Sequence, residues 1–96
     1  VPLEGRIGED PVVVIRDFAF HPQQLTISAG TAVTWINCES SGGASHTTTS
    51  DTGLWDSGLL GPDGSDVFRR TFQDEGVFEY HCTPHPFMQA QVEVTP

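Results

Sequence analysis

The 96-residue chain has no lysine; its four basic residues are all arginine and face thirteen acidic ones, for a net charge of −9. A surface so short of cations does not seek phosphate backbones, which excludes nucleic acid as a partner. No apolar run approaches the ~20 residues that cross a bilayer as a helix, so no transmembrane segment is expected. Internal repeats, low-complexity tracts and sustained helical periodicity are also missing. Cysteine is scarce: Cys38 and Cys82 are either one disulfide in an oxidising compartment or include a thiolate with a chemical task. The chain opens Val1-Pro2-Leu3, with no methionine, basic n-region or apolar h-region. The expectation is an exported protein, periplasmic or extracytoplasmic, whose signal peptide is removed before Val1.

What is present is a series of short β-branched or aromatic runs separated by Gly, Pro, Ser and Asp. They cover Val12 to Asp17, Leu25 to Ser28, Ala32 to Cys38, Asp66 to Phe72, Val77 to Cys82 and Ala90 to Val94. A further strand near Leu3 to Ile7 is weakly signalled. Seven or eight strands in one domain, 1–96, predict an all-β, two-sheet β-sandwich, because a single sheet leaves an apolar face bare. Period two turns Phe78, Tyr80 and Cys82 inward with Ala90, Val92 and Val94, and turns Val77, Glu79 and His81 outward. Arg70 shares a face with Phe68 and Phe72, which requires its strand to lie at a sheet edge. Between Glu39 and Ser65 the pattern is irregular, and Leu54, Trp55, Leu59 and Leu60 are expected to pin this segment to the sandwich. The acidic residues, Asp51, Asp56, Asp63, Asp66, Asp74 and Glu75 among them, read as a solvated surface.

Chemistry concentrates in Tyr80-His81-Cys82-Thr83-Pro84-His85-Pro86-Phe87-Met88. Thiol, imidazole and thioether recur at 82, 85 and 88 in a loop between two strands. The soft sulfurs favour copper and imidazole suits it. Prolines on both sides of His85 leave the loop few conformations to lose. A fourth ligand has to come from elsewhere, and His46 is the available candidate. His81 has the wrong parity, and His21 in Phe20-His21-Pro22 reads as an ordinary loop histidine. Two histidines, a cysteine and a weak axial methionine form the ligand set of blue-copper electron-transfer sites.

At this point the segment resembles the ligand loop of the cupredoxins, the type 1 blue-copper proteins, and in particular their short-loop, amicyanin- and plastocyanin-like group. The likeness extends to Phe20-His-Pro-Gln-Gln-Leu-Thr-Ile27, Val33-Thr-Trp-Ile-Asn37 and Phe72-Gln-Asp-Glu-Gly-Val-Phe-Glu-Tyr80, from about Val12 to Val94. The resemblance implies a Greek-key β-sandwich with one mononuclear copper at its end, bound by His46, Cys82, His85 and Met88. It implies a monomeric electron carrier and not an enzyme, exchanging one electron with a cytochrome or a terminal oxidase or dehydrogenase. Docking is expected near His85, Pro84, Pro86 and Phe87. One departure is Thr47, where the family commonly has Asn; its hydroxyl is expected to donate the bond that ties this segment to the cysteine loop.

Two other readings compete. A copper storage or delivery protein would bind the metal without redox traffic, but such sites favour Cu(I), tend to be open and flexible, and rarely combine this ligand set with two loop prolines. A copper-free immunoglobulin-like module needs a Cys38–Cys82 bridge, which Tyr80 two residues before Cys82 superficially supports. However, Trp35 precedes Cys38 instead of lying between the cysteines, and that reading leaves His85 and Met88 unexplained. A second, catalytic copper at His81 lacks partners, since Thr83 flanks Cys82 on the other side. Cys38 is expected to be a small buried thiol.

Overall fold

The computed structural model describes residues 11–96, which form eight strands and no helix. One sheet holds β1 (Val12–Arg16), β2 (Ala19–His21), β4 (Thr31–Asn37) and β6 (Val67–Phe72), in the order β2-β1-β4-β6. The other holds β3 (Gln24–Ser28), β5 (Thr49–Ser50), β7 (Gly76–His81) and β8 (Gln89–Thr95), in the order β3-β8-β7-β5. β1 runs parallel to β4 and β3 parallel to β8; the remaining pairs are antiparallel. This is the expected all-β Greek-key sandwich. The N-terminal strand expected near residues 3–7 lies outside the described residues.

Alternation decides what each strand buries. Val13, Ile15, Val33 and Trp35 leave the first sheet to meet Ile27, Tyr80, Val92 and Val94 from the second, and all are buried. Burying side chains of this size stabilises the fold by roughly 1.5–3 kcal/mol each before chain entropy is set against it. Trp35 lies at the centre, with its ring edge-on to Tyr80 at 5.4 Å. The turn between β3 and β4 carries the chain from one sheet to the other in two residues. Gly30 takes φ +93° there while its N–H donates to the Phe72 carbonyl at 2.7 Å, a backbone a larger residue rarely adopts.

β6 is an edge strand, as the position of Arg70 requires. The guanidinium stays at the rim by lying over the Trp55 and Phe72 rings, 4.9 and 4.7 Å from their centres. Within the irregular segment the expectation divides. Trp55 and Leu60 are buried, but Leu54 and Leu59 are exposed and pin nothing. The difference is backbone and side-chain pairing: the Trp55 Nε1–H donates to Thr48 Oγ1 at 3.0 Å, and Leu60 exchanges backbone hydrogen bonds with His46. Cys38 is half-buried, not buried, because it continues the half-buried row of Thr34 and Ile36, opposite in parity to Trp35.

Among the described residues, Tyr80 Oη and Trp35 Nε1 are sealed in this core without a well-formed hydrogen bond, and burial pushes the Tyr80 phenol pKa up. Removing an unsatisfied buried hydroxyl forfeits no bond. Tyr80→Phe is therefore expected to leave stability unchanged or raise it by about 1 kcal/mol in denaturant melts. A comparable loss of stability would contradict the absence of a bonded partner.

Candidate metal centre

β7 and β8 are joined by a short loop that its own backbone closes. The Cys82 N–H donates to the Met88 carbonyl (3.1 Å), the His85 N–H to the Cys82 carbonyl (3.2 Å) and the Met88 N–H to the His85 carbonyl (2.9 Å). Cys82 continues the inward row of Phe78 and Tyr80 and is fully buried. Met88 is also buried, at the point where the chain re-enters the sandwich. His85, between Pro84 and Pro86, is half-buried.

His46 comes from the long connection between β4 and β5. Its backbone pairs with Leu60 in both directions, at 3.1 and 2.7 Å. Asn37, the buried last residue of β4, staples the same region: its Nδ2 donates to the Ala44 and Leu60 carbonyls at 3.0 and 2.8 Å. Its Oδ1 accepts the Glu39 N–H at 3.0 Å. An irregular connection thereby presents a fully buried imidazole at a fixed place.

These segments bring His46, Cys82 and His85 together, with one donor atom from each lying within 4.8 Å of the others. Cys82 Sγ is 3.5 Å from Nδ1 of His46 and 3.5 Å from Nδ1 of His85. Bonds of about 2.0–2.1 Å to nitrogen and 2.3 Å to sulfur, opened by roughly 110°, span about 3.6 Å, so one metal ion fits between these three atoms. Thiolate with imidazole suits copper or zinc on donor softness.

Glu39 orders the far side of His46. Its Oε2 lies 2.8 Å from His46 Nε2, and the two carboxylate oxygens accept the N–H groups of Asp17 (3.2 Å) and Phe18 (2.9 Å). Fixing Nε2 in this way leaves Nδ1 to face the sulfur. Burial works to raise the Glu39 pKa, but the Phe18 N–H, the His46 ring and the Asp17 N–H outweigh it and hold the carboxyl below its ordinary value. Glu39 and Asn37 were not legible as site residues, since one carboxylate among thirteen carries no mark in the sequence.

Thr47 does link the two segments, but with its bonding reversed from the expectation. Its hydroxyl oxygen accepts the Thr83 N–H at 2.9 Å, and its own N–H points to Cys82 Sγ at 3.4 Å. The hydroxyl also meets Thr49 Oγ1 at 2.8 Å, which in turn accepts from Thr83 Oγ1 at 3.1 Å. His81 faces outward as its parity demands, with Nδ1 2.6 Å from Asp51 Oδ1. His21 is exposed at the end of β2, a strand and not the expected loop, with Nε2 3.1 Å from the Arg16 carbonyl. Cys38 and Cys82 are both free thiols, which removes the disulfide on which the immunoglobulin-like reading stood.

The profile of copper-binding proteins of the plastocyanin/azurin family matches residues 11–95. Amicyanin of Paracoccus denitrificans is 35% identical over 85 residues, which cover 86% of this chain and 63% of that protein. Halocyanin of Natronomonas pharaonis is 38% identical over 91 residues, 86% of this chain and 54% of its own length. The chain thus spans little more than half the length of these relatives. Among solved structures, a variant amicyanin in its reduced Cu(I) form superposes with a TM-score of 0.79 at 30% identity, covering 95% of this chain and 86% of that one.

Because its folded pKa is depressed, Glu39 contributes stability that is present above the ordinary carboxylate pKa and lost as pH falls through the lowered value. Melting temperatures of the metal-free protein should therefore decline on acidification. In Glu39→Gln that acid limb should flatten and metal affinity should fall by about 10–100-fold. Parallel acid limbs in the two proteins would show that the carboxylate is not held in this way.

Proposed function

Because the chain belongs to the plastocyanin/azurin family of copper-binding proteins, we propose that it is a one-electron carrier between larger redox proteins, with residues 1–96 forming a single copper-binding domain. The observation that carries this reading is the buried Cys82 sulfur, equidistant from two imidazole nitrogens. His46, Cys82 and His85 are the strong ligands in this proposal, and Met88 is a weaker fourth. Bound copper supplies a couple between its +2 and +1 states.

The two oxidation states prefer different coordination, so ligand movement on electron exchange slows transfer. The chain resists that movement at each donor. Cys82 is fixed by the strand it directly follows and by the Thr47 N–H, His46 by Glu39, and His85 by its flanking prolines and the loop's own backbone bonds. Burial also disfavours the storage and delivery alternative, since a site that hands on its metal needs donors a recipient can reach, and only His85 is even half-exposed.

His85 is accordingly the donor nearest to a partner. Around it Pro84, Pro86 and Phe87 are exposed, as the docking expectation requires, and the Phe87 ring lies 6.2 Å from the imidazole. An apolar patch of this kind suits a small, transient interface of under about 1,200 Å². The net charge of −9 favours encounter with a basic cytochrome, oxidase or dehydrogenase. No catalytic role is assigned: His81, the remaining histidine beside the site, is engaged with Asp51. An extracytoplasmic, monomeric carrier completes the reading.

Titrating the metal-free protein with Cu(II) tests it: one equivalent should produce an intense thiolate-to-copper visible band. Rapid reduction without colour would favour storage or delivery. Met88→Leu should keep copper and change the reduction potential measured by voltammetry; loss of all copper binding would contradict its role as a weaker fourth ligand. Electron exchange with a basic cytochrome should slow as the Debye length shrinks from about 30 Å at 0.01 M salt to about 3 Å at 1 M. A salt-independent rate would refute steering by charge.

A further inference from the structure

Asp17 and Phe18 alone connect β1 to β2, and both have positive φ, 54° and 55°. A two-residue hairpin connection of this hand is ordinarily built from Asn, Asp or Gly. Asp17 fits that pattern, but a ring-bearing residue in the left-handed region is a strained outlier that persists only where its surroundings enforce it.

Beyond the β1–β2 pairing itself and the Arg16–Asp17 ion pair, the contacts that hold this turn come from around the metal centre. The Phe18 and Asp17 N–H groups are held by the two oxygens of Glu39, and the oxygen that accepts from Phe18 is also the one beside His46 Nε2. The Phe18 ring stands edge-to-face on His46 at 5.1 Å and on His85 at 4.9 Å, with interplanar angles of 87° and 86°. It also lies nearly parallel to Phe87 at 6.5 Å. It takes no part in the hydrophobic core and remains 42% exposed. The strain is therefore not offset by core burial, which is the usual reason for an aromatic side chain to be tolerated in such a position.

We propose that Phe18 is a positioning residue of the copper centre: an aromatic plate, drawn down by Glu39, that fixes the tilt of both imidazoles and closes the gap between them to water and small anions. The proposal rests on the copper reading above. It assigns Glu39 a double task, since the same carboxylate orients His46 and seats the plate that covers it. Phe18 also extends the apolar patch, but its contacts point first to the two imidazoles.

Asparagine tolerates positive φ, so Phe18→Asn removes the ring without breaking the turn. Wild type, Phe18→Asn and Phe18→Tyr are each loaded with Cu(II), exposed to azide and followed by electron paramagnetic resonance and visible absorption. Copper transfer to excess chelator is timed in parallel. Wild type and Phe18→Tyr should be indifferent to azide. Phe18→Asn should show an azide-dependent spectrum and give up copper about 10–100-fold faster, the range typical of losing a group that supports metal ligands. In the metal-free state Phe18→Asn should melt no lower than wild type, because lost ring contacts are offset by released strain. A blue Phe18→Asn protein as inert to azide and chelator as wild type would overturn the proposal while leaving the copper site intact. A metal-free Phe18→Asn protein that melts well below wild type would also overturn it, marking the ring as a fold contact. Failure of wild type to form the coloured complex would instead defeat the copper reading and the proposal with it.

Discussion

The approach of the Cys82 sulfur to two imidazole nitrogens, 3.5 Å from each, is the constraint on which the remaining structure converges. The three side chains come from two segments separated by more than thirty residues, and neither segment is regular secondary structure. Each must be held by something other than a strand ladder. The cysteine loop uses its own backbone and two prolines. The His46 segment is stapled through Asn37 and Leu60 to the end of β4. The sandwich brings both to one end because β4 and β7, which lead into them, are central strands whose inner faces pack through Trp35 and Tyr80.

A site held in this way resists change in the number and direction of its donors. That property suits a centre that must gain and lose charge with little rearrangement, and suits poorly one that must release its ion. In the proposed carrier role the acidic surface would act on a different scale, with long-range charge influencing how a partner arrives and the apolar ground around His85 what it touches. Stability and function meet in Glu39, whose carboxylate is kept ionised by the same three groups it organises.

Much of this was legible in the amino-acid sequence, for physical reasons that also mark its limits. Alternation in Phe78-Glu-Tyr-His-Cys82 and Ala90-Gln-Val-Glu-Val94 fixes which side chains turn inward, so the two long strands of the second sheet, and the inward cysteine, could be read directly. The His85 and Met88 spacing is local to one loop and was equally visible. Strands of two or three residues, β2 and β5, are too short to show a period. Leu54 and Leu59 look no different in sequence from Leu60, because what separates them is the backbone pairing of Leu60 with His46. Phe18 escaped notice because its contacts with Glu39 and His46 cross 21 residues or more of chain, and Glu39, only seven residues from His46, because nothing local sets it apart from the other carboxylates. His46 is marked by the resemblance of the whole segment to cupredoxins; its own surroundings in the sequence show only an available histidine.

The central claim is a bond between copper and the sulfur of residue 82. Extended X-ray absorption at the copper edge of the Cu-loaded protein measures it directly. The account predicts one short sulfur neighbour with two imidazole nitrogens, and the sulfur signal vanishing in Cys82→Ser. A first coordination shell made only of nitrogen and oxygen, unchanged by that substitution, would contradict it.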